Sequence, residues 1–206
     1  PRVVQPIADM NIDEDSGLVN LVDLDDVFVD VDGDAMQFDF AGAPDEFNMG
    51  IDQDNNLFIN TDLNYNLIDG AVITVTASDA VGGTDDVFLL VITPVNDAPE
   101  VVQAIDDVTV DEDPGLTVVV DLDAVFFDID GDVLIYSVAN APAEVNMTID
   151  QDNVLSFDPD LYFNIPDGVE IAIEAEDVEG VTVQDLFILT ITPTQPVIVL
   201  SEDLHD

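Results

Sequence analysis

Residues 22–34 read VDLDDVFVDVDGD, and 98 positions later residues 120–132 read VDLDAVFFDIDGD. Ten of these 13 positions are identical. Two further stretches recur at the same offset, 3–18 as 101–116 and 47–55 as 145–153. A direct duplication of about 98 residues predicts two structurally equivalent domains in tandem.

Each repeat is predicted to be a sandwich of short β-strands. Its apolar residues alternate or form short runs, and turns rich in Asp-Gly, Asp-Pro and Asn separate these runs. No segment has a sustained helical period. In the first repeat we expect seven strands, near 4–12, 18–24, 35–40, 47–51, 56–60, 71–77 and 86–93. The predicted fold class is all-β, with two tandem seven-stranded sandwiches.

The linker between the repeats is TPVNDAPE at 93–100, which two prolines stiffen. We therefore expect the first domain at 1–98 and the second at 99–196. For the tail at 197–206, two interpretations stay open: an extra strand formed by VIVL, or the start of a third domain.

The charge of the chain is extreme, because 47 acidic residues face a single basic one and the formal net charge is −46. Two carboxylates about 4 Å apart repel by roughly 4 kcal/mol at an effective dielectric constant near 20, so clustered acids need counter-charge that this chain lacks. Multivalent cations or high salt must supply it. The same repulsion excludes nucleic acid as a partner, and no apolar run is long enough for direct membrane insertion. A salt-adapted acidic surface would explain the charge but not the places where the acids cluster.

The acids cluster in turns that follow predicted strands. If the strands alternate in direction, the turn at 30–34 and Asp79 lie at the N-terminal end of the first domain, and the turn at 128–132 and Asp177 lie at the same end of the second. The DED sequence at 13–15 lies at the opposite end of the first domain. Stacking the domains end to end would bring this opposite end, the linker and the second-domain aspartates to one junction. Calcium suits such a site, because it accepts six to eight oxygen ligands in flexible geometry, whereas magnesium demands a stricter octahedron.

Four motifs together resemble those of bacterial cadherin-like repeats. They are VNDAP at 95–99, F-x-D-x-D-G-D at 28–34 and 126–132, DED at 13–15 and 111–113, and A-x-D-x-x-G at 77–82. The resemblance covers both repeats and implies a calcium-dependent Greek-key sandwich of the immunoglobulin and cadherin type. It also implies a secreted or cell-surface protein of the adhesin or matrix class. The near absence of lysine and arginine is a departure from that family.

The clustering and the resemblance together give three sets of candidate calcium ligands. The junction set comprises Glu14, Asp69, Asn96, Asp97, Asp128, Asp130 and Asp177, and the set at the N-terminal end comprises Asp30, Asp32 and Asp79. A set at the C-terminal end would comprise Glu112 and Asp167, but the linker after the second repeat lacks the Asn-Asp pair. The aspartates of the two IDQDN sequences, at 51–55 and 149–153, are expected to be turn residues.

We expect no enzyme and no catalytic residues. The chain has no cysteine, one histidine and one arginine, so nucleophile–base pairs and phosphate-binding groups are missing. The sequence favours a calcium-stabilised extracellular structural or adhesive module, a rigid spacer or fibre subunit that contacts other copies or adjacent repeats end to end. The alternative is a calcium-dependent carbohydrate-binding module with extracellular polysaccharide as its partner. The absence of tryptophan and the presence of three tyrosines argue for the structural module.

Overall fold

The structure is a computed structural model and describes residues 1–194. It divides into two compact units, Pro1–Val95 and a second that starts at Asn96, so the division falls within the VNDAP sequence. The predicted strand at 197–200 lies outside the described residues. Within residues 1–194, no helix is long and apolar enough to cross a bilayer.

The first unit is built almost entirely of β-strands. They are β1 (Arg2–Val3), β2 (Met10–Asp13), β3 (Val19–Asp23), β4 (Phe28–Val29), β5 (Gln37–Ala41), β6 (Gly50–Ile51), β7 (Asn56–Ile59), β8 (Leu67–Ser78) and β9 (Gly83–Thr93), with the one-turn helix α1 (Leu24–Val27) and a 3-10 turn at Asp45–Phe47. A four-stranded sheet has the order β2-β9-β8-β5, and a three-stranded sheet has the order β3-β7-β6. These seven strands confirm the predicted seven-stranded sandwich. β1 and β4 form an additional short pair.

The second unit repeats this architecture. Its strands are β10 (Glu100–Val101), β11 (Val108–Asp111), β12 (Thr117–Asp121), β13 (Phe126–Phe127), β14 (Ile135–Ala139), β15 (Met147–Ile149), β16 (Val154–Phe157), β17 (Ile165–Glu176) and β18 (Thr182–Thr192), with 3-10 turns at Leu122–Ala124 and Ala143–Val145. The sheets have the orders β11-β18-β17-β14 and β12-β16-β15, and β10 pairs with β13.

The strands form because their side chains alternate between a core face and a solvent face. In β9, for example, Phe88, Leu90 and Ile92 are buried, whereas the residues between them are at least partly exposed. Burying one such side chain stabilises the fold by about 1.5–3 kcal/mol. The same positions of β18 are filled by Phe187 and its alternate neighbours, so each unit has its own hydrophobic core.

The strand expected at 4–12 is divided in the structure. Its first part, β1, pairs with β4, whereas β2 pairs with β9 in parallel, so the chain passes from one pairing to the other between them. In this crossing segment the amide of Ile7 donates to the Asp86 carboxylate at 2.6 Å rather than to a neighbouring strand. Ile105 and Asp185 repeat the contact in the second unit at 2.6 Å. An aspartate side chain therefore replaces the missing strand partner at this crossing.

Candidate metal centres

In the second unit, the turn after β13 folds back on its own first aspartate. Oδ1 of Asp128 accepts hydrogen bonds from the backbone amides of Asp130 at 3.0 Å and Asp132 at 3.2 Å. Gly131 has φ +78°, a left-handed conformation that glycine adopts without strain. The reversal brings the side chain of Asp132 back beside that of Asp128.

Three carboxylates converge at this turn. Oxygen atoms of Asp128, Asp132 and Asp177 all lie within 4.8 Å of one another. Asp128 is 4% exposed and Asp177 is 2% exposed. Oδ2 of Asp128 is buried and has no hydrogen-bond partner. Buried carboxylate oxygens are almost always hydrogen-bonded or bound to a metal, so this atom points to a missing ligand.

The three carboxyl groups differ in how the protein compensates their charge. Burial raises the pKa of the Asp132 carboxyl above its ordinary value, and the neighbouring carboxylates raise it further. The pKa of Asp177 is lowered instead, first by the side-chain amide of Asn96 and also by backbone amides that bond to it. Those amides belong to Glu179, at 2.9 Å, and Val181, at 2.8 Å. The charge of Asp132 is therefore less well compensated than that of Asp177.

The linker residues contact this cluster within the second unit. Nδ2 of Asn96 donates to Oδ2 of Asp177 at 2.9 Å. The amide of Asp97 donates to Oδ2 of Asp130 at 2.7 Å. Asp130 itself is exposed and is not one of the three converging carboxylates.

The first unit has an equivalent cluster formed by Asp30, Asp34 and Asp79, again with oxygen atoms within 4.8 Å of one another. Oδ1 of Asp30 accepts from the backbone amide of Asp34 at 3.0 Å, and this hydrogen bond is the largest cause of a pKa of Asp30 well below its usual range. The cluster lines an open cavity of about 350 Å³.

Asp34 and Asp132 lie in the two acidic turns that the sequence singles out, but they were not among the predicted ligands. The structure includes both in the clusters, whereas Asp32 and Asp130 lie outside them. The glycine of each D-x-D-G-D sequence could have indicated them. A left-handed conformation at this glycine reverses the chain, so the side chain of the fifth residue comes back beside that of the first. Asp32 instead donates its backbone amide to Oδ1 of Asp30 at 2.9 Å.

The two predicted glutamates hold the chain that leaves the last strand of each unit. Glu14 is 3% exposed. Its Oε1 accepts from the Val95 amide at 2.9 Å, and its Oε2 accepts from Nδ2 of Asn66 at 3.3 Å. Oε1 of Glu112 accepts from the amide and the hydroxyl of Thr194 at 2.8 and 2.6 Å, and the hydroxyl is the main cause of its lowered pKa.

Asp69 and Asp167 lie inside β8 and β17, so β8 begins earlier than the strand expected near 71–77 and includes Asp69. Each is exposed and precedes a glycine with positive φ at an irregularity of strand pairing. Within residues 1–194, none of Glu14, Asp69, Glu112 and Asp167 belongs to a group of three converging acids. Two assignments therefore stay predictions. One places Glu14 and Asp69 in a site with the second-unit ligands, and the other places Glu112 and Asp167 in a site at the C-terminal end.

Residues 96–192, in the second unit, match a family model described as a bacterial Ig domain. No functionally curated protein matches the chain.

Among solved structures, the chain is similar to repeats EC1-2 of human mucin-like protocadherin, with 20% identity and a TM-score of 0.56 over 94% of this chain and 98% of that one. It is also similar to EC1-2 of human protocadherin-24, with 18% identity and a TM-score of 0.55 over 94% and 97%. At these identities the likeness shows the fold alone: two tandem sandwiches of the immunoglobulin and cadherin type.

Proposed function

We propose that this chain, a tandem of cadherin-like bacterial Ig repeats, is a calcium-stabilised extracellular structural and adhesive module. It would act as a rigid spacer or as a subunit of a surface fibre. Its partners would be adjacent repeats or other copies, joined end to end. Domains of this type are usually extracellular or at the cell surface, which supports that location.

The observation that carries the proposal is the buried, unpartnered Oδ2 of Asp128 beside two further carboxylates. A cation there would supply the missing partner and remove the repulsion between the acids. The chain has one basic residue and 47 acidic ones, so its own side chains cannot neutralise the acidic clusters. The residues that would hold the ion in the second unit are Asp128, Asp132 and Asp177, and those in the first unit are Asp30, Asp34 and Asp79.

The donor set favours calcium over other metals. All the donors are oxygen atoms, and the chain has no cysteine, so the soft sites used by zinc are missing. Several carboxylates supplied by separate turns suit the irregular coordination of calcium better than the strict octahedron of magnesium. The bound ion would fix the turns and linker residues that supply its ligands.

A thermal denaturation experiment tests the proposal. The melting temperature should rise on addition of calcium at constant ionic strength, fall on chelation, and respond less to magnesium. In Asp132→Asn the calcium-induced rise should shrink. Asp152→Asn removes the same charge from an exposed turn of the same unit and should keep the full rise. If sodium chloride at the same ionic strength stabilised the protein as much as calcium does, the salt-adapted surface would be the better explanation.

A further inference from the structure

A groove in the second unit, outside the hydrophobic core, has a composition that the first unit does not share. It is open, has a volume of about 340 Å³, and lies between the end of β13, the turn that follows it, and β14. Phe127 lines it and is 51% exposed, although the preceding Phe126 is buried. Val133 and Leu134 provide further apolar surface. The volume lies at the lower end of the range for small-molecule pockets, about 300–1,000 Å³.

Three of the residues that line the groove form a hydrogen-bonded group. The Tyr136 hydroxyl donates to Oδ1 of Asp123 at 2.9 Å, and Nδ2 of Asn153 donates to both oxygens of the same carboxylate at 3.0 and 3.2 Å. Burial and the nearby Asp123 raise the pKa of Tyr136, so the phenol stays protonated and remains the donor to Asp123. The tyrosine oxygen and the carboxylate keep acceptor capacity for a ligand with hydroxyl groups.

Asp128 and Asp132 also line the groove. The groove thus combines an exposed aromatic ring with several polar side chains, which is the usual composition of a site for a polar small molecule.

The duplication shows that the fold does not require these features. At the offset of 98, the first unit has Val29 in place of Phe127 and Phe38 in place of Tyr136. The corresponding pair Asn55 and Asp25 is still hydrogen-bonded, at 3.1 Å. The exposed ring and the tyrosine hydroxyl are therefore properties of the second unit, not of the sandwich.

From these features we infer that the Phe127 groove is a binding subsite for a neutral pyranose sugar. The exposed ring offers an apolar face on which the C–H face of a pyranose packs, and Asp123 and Tyr136 accept hydrogen bonds from its hydroxyls. The ligand is neutral because the net charge of −46 repels anionic sugars. This inference rests on the adhesive part of the proposed function and gives that adhesion a ligand class.

Nuclear magnetic resonance titration of the whole chain tests the inference. The probes are the methyl glycosides of glucose, galactose and mannose, with glucuronate as an anionic comparison, each in calcium and in chelator. At least one neutral probe should give saturable shifts of the Phe127, Val133 and Tyr136 amides, and glucuronate should not.

Two variants place first-unit residues in the groove, so the sandwich is expected to tolerate them. Phe127→Val should weaken the binding by about ten-fold or more, the equivalent of about 1.4 kcal/mol, and Tyr136→Phe should weaken it measurably. Val29→Phe, in the first unit, should leave the affinity unchanged. Shifts that are absent for all three neutral probes, or that persist undiminished in Phe127→Val, would overturn the inference.

The calcium titration of the same samples separates the two hypotheses. Calcium binding without sugar binding overturns the subsite and leaves the calcium proposal intact. Sugar binding at Phe127 without any calcium effect supports the subsite and contradicts the calcium proposal.

Discussion

Nδ2 of Asn96 donates a hydrogen bond of 2.9 Å to Oδ2 of Asp177, and this contact ties the first residue of the second unit to the acidic cluster. It is also the largest cause of the lowered pKa of Asp177. The linker sequence thus stabilises the charged form of a candidate ligand.

Asn96→Ala should therefore raise the pKa of Asp177 toward the ordinary carboxyl value of about 3.9. The change is measured from the carboxyl carbon shift of Asp177 during acid titration without calcium. The pKa of Asp52, whose bonds are made within a turn of the first unit, serves as the internal control. An unchanged Asp177 pKa would contradict the role given to Asn96.

Each unit should gain stability from its own ion. At a free calcium concentration 100 times the dissociation constant, an ion that binds only the folded state adds about 2.7 kcal/mol per site. Asp177→Asn should abolish most of this gain in the second unit, and Asp79→Asn should do so in the first. Amide hydrogen exchange of Leu189 and Leu90, in the core strands β18 and β9, reports each unit separately.

For each variant, the quantity compared is the difference in hydrogen-exchange protection between the calcium and the chelator samples. This difference removes the effect of the substitution on the metal-free fold. Equal losses in both units for either single variant would contradict independent sites.

The first unit should resist acid better than a variant in which Asn56, the residue directly after the IDQDN sequence, is replaced by valine. Oδ1 of Asp52 accepts from the backbone amide of Asn56 at 2.8 Å, and Nδ2 of Asn56 donates to Oδ2 at 2.9 Å. The side chain of Asn56 is the largest cause of the lowered pKa of Asp52. Because the folded pKa is lowered, this contribution to stability is present above about pH 4 and is lost as the pH falls through the folded pKa.

Asn56→Val introduces the residue found at the equivalent position 154 of the second unit. It should raise the pKa of Asp52 and move the acid unfolding of the first unit to higher pH. Acid titration followed by carboxyl carbon shifts measures both. A variant that unfolds at the same pH as the wild type would show that the turn does not limit acid stability.

Glu14→Ala should destabilise the first unit more than Glu112→Ala destabilises the second. Glu14 is 3% exposed, whereas Glu112 is only partly buried. Removal of Glu14 loses the hydrogen bonds from the Val95 amide and the Asn66 side chain, and a hydrogen bond to a charged group contributes about 1.5–3 kcal/mol. Water reaches the more accessible Glu112 site and can replace the bonds lost there. Hydrogen exchange of β9 and β18 in chelator compares the two variants, and equal losses would contradict the importance of burial.

The fold could be predicted from the sequence because it depends on periodic and repeated features. The duplication at 98 residues, the alternation of apolar residues and the turn sequences were sufficient for two seven-stranded sandwiches. The division of the first strand was not predictable, because it depends on a contact between Ile7 and Asp86, which are 79 residues apart. Such a contact leaves no local pattern.

The candidate sites could be predicted only in part. The sequence located the acidic turns, but the choice between Asp130 and Asp132 as the converging carboxylate depends on the path of the chain through Gly131. The sequence also cannot show which carboxylate oxygen is buried without a hydrogen-bond partner, as Oδ2 of Asp128 is, because this depends on the packing around each carboxylate. The exposure of Phe127 could not be predicted either, because residues 126 and 127 are both phenylalanine and only the path of β13 determines which of them is buried.

The parallel pairing of β2 with β9 determines how the first unit would bear mechanical load. Four register pairs, from Met10 with Leu90 to Asp13 with Thr93, join the N-terminal part of the unit directly to its last strand. Since the strands are parallel, tension applied through the preceding and following chain pulls them in opposite directions along their axes. The hydrogen bonds between them are then loaded together in shear instead of being broken one after another. β11 and β18 have the same parallel arrangement, so tension along the chain would load this strand pair of the second unit in shear as well.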